Sequence, residues 1–452
     1  MKLFVRDKSF YIKAATLAVP IALQSVISIG VNLADNMMVG ALGETTLSAT
    51  ALANQFVSIF QICCMGLGMG ASVLTARFWG MKDIGSLKKA LTLMLRLCAV
   101  LAIMFFTIPT IFVPTGIMKL YTKDAAVVAE GIRYLKWMVP CFLLQGLALT
   151  STIVLRSVGK ANIPLISSIG AFFINIFFNY IFIFGKLGLP AFGIEGAGIG
   201  TLISRLFEFS TICGYILLVD KHIGYRVRDF LSPCADLLGT YITISLPVLV
   251  SDTLLALGNS AVAMVMGRIG KNFVAANSIT VVTQQLSTVL IQGICQASCI
   301  VTGNTLGEGH RQKAIDEAWT FLGLSMVIGL VGGGIILLIS GPIIGLYNIT
   351  EETAAIAQQL MQSIALIIVF QSMNSILTKG VLRGGGDTKF LMAADILFLW
   401  ILSVPLGALA GLVWHLDAFW IYFFLKIDQI VKSVWCIFRL KSGKWIKTFR
   451  EE

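Results

Sequence analysis

The chain has 452 residues, of which 57% are hydrophobic and only 13% are charged, and its formal net charge is +11. A mean hydropathy of +0.88 is far above that of a water-soluble domain, so the composition excludes a soluble globular protein. The basic residues are scattered over short loops beside apolar runs, which argues against binding of nucleic acid.

Apolar runs of about 20 residues recur along the whole chain, and each is long enough to cross a bilayer as a helix. The apolar residues come in unbroken blocks instead of at every second position, so the pattern predicts helices and not a membrane barrel. The predicted fold class is an all-α membrane protein with twelve transmembrane helices. The predicted spans are 14–36, 48–74, 90–113, 134–155, 164–184, 196–218, 240–264, 275–301, 318–339, 357–380, 390–412 and 418–438.

Lysine and arginine residues concentrate in alternate loops, and cytoplasmic loops are the ones that carry this excess. The pattern predicts a multi-pass protein of the plasma membrane, in a bacterium the inner membrane, with both termini in the cytoplasm. The first apolar run has the length of a span and no small-residue cleavage site, so we expect it to remain as the first helix.

An internal repeat relates the two halves of the chain at an offset of 227 residues, the separation of Pro20 and Pro247. Six helices per copy is an even number, so both copies enter the membrane from the same side and the repeat is parallel. We therefore predict two six-helix lobes, 1–218 and 239–438, joined by a cytoplasmic linker, 219–238, and followed by a basic cytoplasmic tail, 439–452. Further matched pairs are Asn32 and Asn259, Gly40 and Gly267, Gly66 and Gly293, Gly80 and Gly307, and Arg156 and Arg383.

Several longer motifs point to one family. They are PIALQSVISIGVNLADNMMVGALG in the first span, LRSVGKANIP with the following FINIFFNYIFIFGKLGLPAFGIEGAGIGT, and LRGGGDTKF in the second lobe. Over essentially its whole length the sequence resembles the multidrug and toxic compound extrusion (MATE) transporters. The resemblance implies a V-shaped pair of lobes around a central cavity, and export of small organic, often cationic, compounds in exchange for H⁺ or Na⁺.

Polar side chains inside the apolar spans mark candidate sites, because ionisable groups are costly in a bilayer. Asp35 lies near the outer end of the first span, and Asn175 and Asn179 share one face of the fifth span at a similar depth. The two amides could donate hydrogen bonds to the carboxylate when it is ionised. When it is protonated, they could accept a hydrogen bond from its O–H group. Alternatively, the two amides only tie helices together.

The family resemblance supports a cation-coupling site made of Asp35, Asn175 and Asn179 together with Thr201 of the sixth span. The position of Asn179 is usually Asp in related proteins with a mapped site. Because loss of that carboxylate removes charge that would favour bound Na⁺, the sequence favours H⁺ as the coupling ion, with Na⁺ as the alternative. No further cofactor is expected.

The second lobe has three acidic candidates, Asp252, Asp395 and Asp428. We expect Asp252 and Asp428 at comparable depth, where they would offer a negative centre to a cationic substrate. Asp428 could instead pair with Lys432, one helical turn later. Asp395 lies close to the start of its span and could be hydrated at the interface.

Two further patterns concern helix geometry. Arg205 and Glu208, three residues apart on the sixth span, are expected to form an intrahelical pair with a structural role. Pro20 and Pro247 each lack a backbone N–H, so they interrupt the hydrogen bonding of their helices and are candidate hinges.

Enzyme activity is not predicted. Gly270-Lys271 lacks the earlier glycine of a phosphate-binding loop, neither HExxH nor GxSxG occurs, and the three histidines stand apart, so no ATP site, catalytic set or metal centre is expected. Cys295 and Cys299, one turn apart, are expected to pack rather than bind metal. We expect a monomer that meets only the bilayer and its organic substrates.

Two other functions were compatible with the span pattern. A lipid-linked precursor flippase would need several basic residues in its cavity to hold pyrophosphate, whereas the charges inside the spans look mainly acidic in the sequence. A receptor or scaffold would need an appended soluble module, and the sequence between the predicted spans offers none.

Overall fold

The computed structural model describes residues 4–111, 113–347 and 349–447, and within these ranges the chain is helical and has no strand. Residues 1–3 of the predicted first lobe and 448–452 of the predicted tail lie outside the described residues. Ten helices of the described chain are long and apolar enough to cross a membrane, and a bent pair raises the number to as many as eleven.

The first half of the chain contributes eight helices. Their bounds are Lys8–Gly40 (α1), Glu44–Met81 (α2), Ile84–Ile111 (α3), Val113–Tyr121 (α4), Ala125–Met138 (α5), Cys141–Ser157 (α6), Asn162–Phe184 (α7) and Ile194–Gly214 (α8), which the π-helical turn Tyr215–Val219 extends. Pro140 separates α5 from α6, and the pair bends there by 56° because a proline ring collides with the preceding turn.

The second half contributes another eight helices. They are Leu238–Ile269 (α9), Lys271–Gly307 (α10), Arg311–Gly345 (α11), Glu351–Ser375 (α12), Thr388–Asp395 (α13), Val404–Ala408 (α14), Ala418–Leu425 (α15) and Asp428–Ser442 (α16), with the π-helical segments Ile376–Leu382, Ile396–Ser403 and Leu409–Val413 continuing α12, α13 and α14. The last predicted span is therefore broken between α15 and α16. Within the described residues every predicted span coincides with one helical stretch or one broken pair, which confirms the predicted fold class. Residue 112 of the predicted span 90–113 lies outside the described residues.

Packing divides the described chain into two compact units. One contains Leu23–Ser245, and the other contains the described residues up to Ala22 together with those from Leu246 onward. Both divisions fall inside a helix, within two or three residues of Pro20 in α1 and of Pro247 in α9. Each of these two helices therefore carries the chain from one unit into the other.

The segment predicted as a linker, 219–238, lies in the first unit and is attached to α3. Lys88 Nζ donates to Gly224 O at 2.7 Å and lies 3.1 Å from Asp229 Oδ2, and Arg96 donates to two more linker carbonyls. The backbone N–H of Arg226 and the ammonium group of Lys88 hold the pKa of Asp229 below its ordinary value. The linker is therefore a folded part of this unit.

Candidate functional site

A polar cluster inside the first unit joins α1 to α7. Asn179 Nδ2 donates to Asp35 Oδ1 at 2.7 Å and lies 3.3 Å from Asn175 Oδ1. Asn175 and Asn179 are 2% and 1% exposed, and Asp35 is half-buried. The two asparagines share a face because one helical turn separates them. The structure thus brings together the carboxylate and both amides that the sequence singled out.

Gly200 on α8 makes room for this cluster. A Cβ atom at Gly200 would overlap Asn179 Oδ1 and would stand 3.0 Å from the backbone nitrogen of Asn179. Among the described residues, Asn179 Oδ1 is buried without a hydrogen-bond partner. A half-turn of the amide would exchange its donor and its acceptor. Asn179 can therefore donate to an ionised Asp35 and accept from a protonated one.

Gly200→Ala is expected to destabilise the protein by about 1–3 kcal/mol, because the added methyl group overfills the space beside Asn179. Chemical unfolding in detergent measures this change. Gly214→Ala, on the same helix with no atom within 4 Å of the added Cβ, serves as the matched control and should be neutral or slightly stabilising. Equal stability of the two variants would contradict the tight fit at Gly200.

Thr201, the fourth predicted member of the site, follows Gly200 on α8 and is buried. Its hydroxyl donates to Ala197 O within the helix at 2.9 Å. Within the described part of the chain it makes no hydrogen bond to Asp35. The structure therefore places Thr201 beside the cluster without joining it to the carboxylate.

Two further residues, Arg205 and Tyr134, interact electrostatically with Asp35. Arg205 interacts electrostatically with Asp35 and donates to Glu208 Oε2 at 2.7 Å, so the predicted intrahelical pair is present and also faces the cluster. Tyr134 on α5 is in electrostatic contact with Asp35 and lies 3.4 Å from Asn54 Oδ1. Sequence reasoning missed Tyr134 and Asn54, since a single polar residue in a long apolar helix carries no signal of the direction it faces.

The acidic candidates Asp395 and Asp428 of the second unit share one lysine. Lys432 Nζ lies 3.0 Å from an oxygen of each carboxylate. Ser251 donates to the other oxygen of Asp395, and Ser403 donates to Asp428 at 3.1 Å. Pairing of Asp428 with Lys432 is thereby confirmed. Asp395 is only 7% exposed, so the expectation that it is hydrated at the interface is wrong.

The third acidic candidate, Asp252, is also paired. Its carboxylate lies 3.4 Å from Arg383 Nη2 and 3.8 Å from Lys379 Nζ. None of the three candidates therefore offers an unpaired carboxylate to a cationic substrate. The fully buried charged residues of this unit are mainly acidic, as expected, but basic side chains pair with all three candidates.

The internal repeat relates the polar clusters of the two units. At the 227-residue offset Arg205 of α8 corresponds to Lys432 of α16, whereas Asp35 of α1 corresponds to Val262 of α9. The basic position is thus kept in both copies. The two carboxylates that pair with Lys432 lie on α13 and α16 and not on α9, the counterpart of α1.

The oxygen donors around Asp35 suit only a small, weakly bound ion. One carboxylate and neighbouring amide oxygens can hold a proton or a monovalent cation, since tighter metal sites use several charged or imidazole ligands. In the described ranges no group of three or more His, Cys, Asp or Glu side chains could hold a metal ion. The nine cysteines are all free thiols.

The MatE family model matches residues 20–181 and again residues 247–409. The chain belongs to the MatE family. The two matched ranges begin at Pro20 and Pro247, which confirms the internal repeat. A probable multidrug resistance protein NorM of Thermotoga maritima is 24% identical to this MatE protein over 437 residues, which are 95% of this chain and 92% of that protein.

Solved structures share the MatE fold. An outward-facing multidrug resistance MATE family transporter of the MOP superfamily aligns with a TM-score of 0.85 and 21% identity over 96% of each chain. A MOP superfamily transporter of Pyrococcus furiosus, whose binding pocket has reverse polarity that suggests a different function, aligns with the same TM-score, identity and coverage. As a member of the MatE family, the protein is a membrane transporter and not an enzyme.

Proposed function

We propose that this MatE protein is a secondary active antiporter that exports organic, drug-like compounds in exchange for H⁺ or Na⁺. Relatives named as multidrug resistance proteins support export of such compounds. The observation that carries ion coupling is the hydrogen bond from buried Asn179 to Asp35, an ionisable group between two largely apolar helices. The bacterial relatives favour the inner membrane of a bacterium. The distribution of lysine and arginine over the loops favours both termini in the cytoplasm.

Asp35 is the group whose charge changes in this proposal. When it is ionised, the amide of Asn179 and the positive charge of Arg205 stabilise it. A charge-assisted hydrogen bond is roughly twice as strong as a neutral one, so binding of a proton weakens the link from Asp35 to Asn179. Binding of the ion also removes the attraction between Asp35 and Arg205.

The charge of Asp35 would control how α1 is held. Leu33 and Met37, on either side of Asp35, are 60% and 69% exposed, so this part of α1 has little packing of its own. Weakening of the hydrogen bond to α7 would let the outer part of α1 move about Pro20, where the helix lacks one backbone hydrogen bond. Alternating access requires an element with two alternative positions, and in this proposal α1 is that element.

Asn179→Asp tests the choice of coupling ion. A second carboxylate beside Asp35 adds the charge that favours bound Na⁺, so we expect Na⁺-driven transport to gain about tenfold over proton-driven transport, the effect of one added charged contact. Proteoliposomes under separate Na⁺ and pH gradients measure the ratio. Asn36→Asp places the same charge on the exposed side of α1 and should leave the ratio unchanged. An unaltered ion preference in Asn179→Asp would count against this account.

Export itself is tested with a panel of fluorescent organic compounds in proteoliposomes. Accumulation that follows an imposed Na⁺ or pH gradient supports antiport. Equal rates with and without either gradient, for every compound of the panel, would reject it.

A lipid-linked precursor flippase remains the second candidate because three lysines line a cavity of the second unit: Lys379, Lys426 and Lys432. A pyrophosphate site needs several available positive charges. Lys432 faces two carboxylates and Lys379 faces Asp252, so most of the positive charge is already neutralised. Export of organic compounds is therefore the better-supported function.

A further inference from the structure

The second unit has a partly open cavity whose walls are rich in side-chain amides. It has two adjoining compartments of about 250 and 480 Å³, a size that suits a small organic molecule. Four residues line both compartments: Asn259, Gln284, Gln371 and Lys426. The larger compartment also has an apolar side, formed in part by Val262 and Met266.

The carboxylates at the wall of the smaller compartment are already occupied by donors of the protein. Lys432 binds both Asp395 and Asp428, and serine hydroxyls donate to each of them. The amide of Gln429 donates to Asp428 Oδ2 at 2.8 Å as well. A cationic ligand would therefore have to displace internal partners before it could reach either carboxylate.

Lys426 differs from the other lysines of the cavity. Its amino group donates to Asn259 Oδ1 at 3.1 Å, at a position open to the cavity. Among the described residues no carboxylate oxygen lies within 4.0 Å of Lys426 Nζ. Asp428 interacts with Lys426 electrostatically, but from a distance greater than that of an ion pair. An ammonium group has three donors, so Lys426 has hydrogen-bonding capacity left for a ligand.

The break in the last span explains how Lys426 reaches the cavity. Lys426 and Ile427 leave the helix between α15 and α16, and irregular backbone at membrane depth is tolerated where it lines a cavity. The first residue of α16, Asp428, also lines the cavity, so the positive end of that helix is close to Lys426.

We propose that this cavity binds the carboxylate group of an organic anion or zwitterion at Lys426. The amides of Asn259, Gln284 and Gln371 hydrogen-bond the polar atoms of the ligand, and the side lined by Val262 takes its apolar part. One unneutralised lysine matches a single negative charge, which favours a carboxylate over a pyrophosphate. This inference rests on the proposed function, because it names a substrate class for the exporter.

Rhodamine B and its ethyl ester test the inference as a matched pair, since they differ at the carboxylate. Fluorescence polarisation with the purified full-length protein in detergent measures the affinity for each. We expect the wild-type protein to bind the free acid at least tenfold more tightly than the ester, the effect of one charge-assisted hydrogen bond. Benzoate should compete with the acid.

Variants at Lys426 locate the carboxylate. Lys426→Gln should reduce the ratio of acid to ester affinity to about one, and Lys426→Arg should preserve most of it, because the positive charge decides the preference. Lys271→Gln, at an exposed lysine of the same unit, should keep the wild-type ratio. If Lys426→Gln does not fold, the wild-type and Lys426→Arg ratios still decide the outcome.

A wild-type protein without preference for the acid, or a preference that survives Lys426→Gln, would overturn the inference. Competition by inorganic pyrophosphate but not by benzoate would overturn it too. Gradient-driven transport of the ester alone would support the antiporter and reject the carboxylate site. Lys426-dependent binding of the acid, with neither dye transported under any gradient, would retain the site and reject the antiporter.

Discussion

Asp35→Asn is expected to abolish ion-driven efflux, with rates at least about tenfold below those of the wild-type protein, because an amide can neither bind a proton nor offer charge to Na⁺. Asparagine has nearly the shape of aspartate and can still accept a hydrogen bond from Asn179, so the cluster should remain packed. Substrate efflux from proteoliposomes under imposed Na⁺ and pH gradients measures the effect.

The control for this variant is Asp417→Asn. Asp417 is exposed at the start of α15, and its side chain makes no capping hydrogen bond in the described structure. The Asp417→Asn variant should transport substrate at the wild-type rate. Asp35→Asn vesicles that exchange substrate against a pH or Na⁺ gradient as fast as the wild type would show that ion coupling lies elsewhere.

Lys432→Met is expected to destabilise the protein by about 3–5 kcal/mol, because it leaves two buried carboxylates without their shared cation. The Lys432 side chain is only 1% exposed, as is that of Asp428, so the pair is largely shielded from bulk solvent. Denaturant-induced unfolding in detergent measures the change. Lys441→Met, at an exposed position of the same helix, should lie within about 0.5 kcal/mol of the wild type.

A combined variant separates lost charge pairing from lost packing. When Asp395→Asn and Asp428→Asn are added to Lys432→Met, no buried charge remains in the cluster, and much of the stability should return. If Lys432→Met alone unfolds like the wild type, the charge pairs of this lysine do not stabilise the fold. If the combined variant is no more stable than Lys432→Met, packing and not charge explains the loss.

Features with a local pattern could be predicted from the sequence. The spans follow from unbroken apolar blocks, and the repeat follows from Pro and Gly residues that keep a constant offset. The cluster around Asp35 was within reach because Asn175 and Asn179 mark one helix face and their depth could be counted from the ends of the span.

Pairs between distant spans could not be predicted. Lys432 and Asp395 are 37 residues apart in sequence, and Arg383 and Asp252 are 131 apart. Counting residues gives the depth of a side chain in the membrane but not the direction in which it points. These ion pairs could therefore not be predicted from the sequence. The break at Lys426 was missed for a related reason: the surrounding residues are apolar enough to continue a helix, and tertiary packing decides otherwise.

The division of α1 between the two packing units bears on how the protein is made. The part of α1 up to Ala22 packs in the unit that otherwise begins at Leu246. A ribosome therefore delivers the first helix to the bilayer long before its final neighbours exist, and the newly inserted N-terminal half has to persist in an unfinished state. The unit Leu23–Ser245 is one continuous segment, whereas assembly of the other unit can be completed only late in translation, when the second copy of the repeat has entered the membrane.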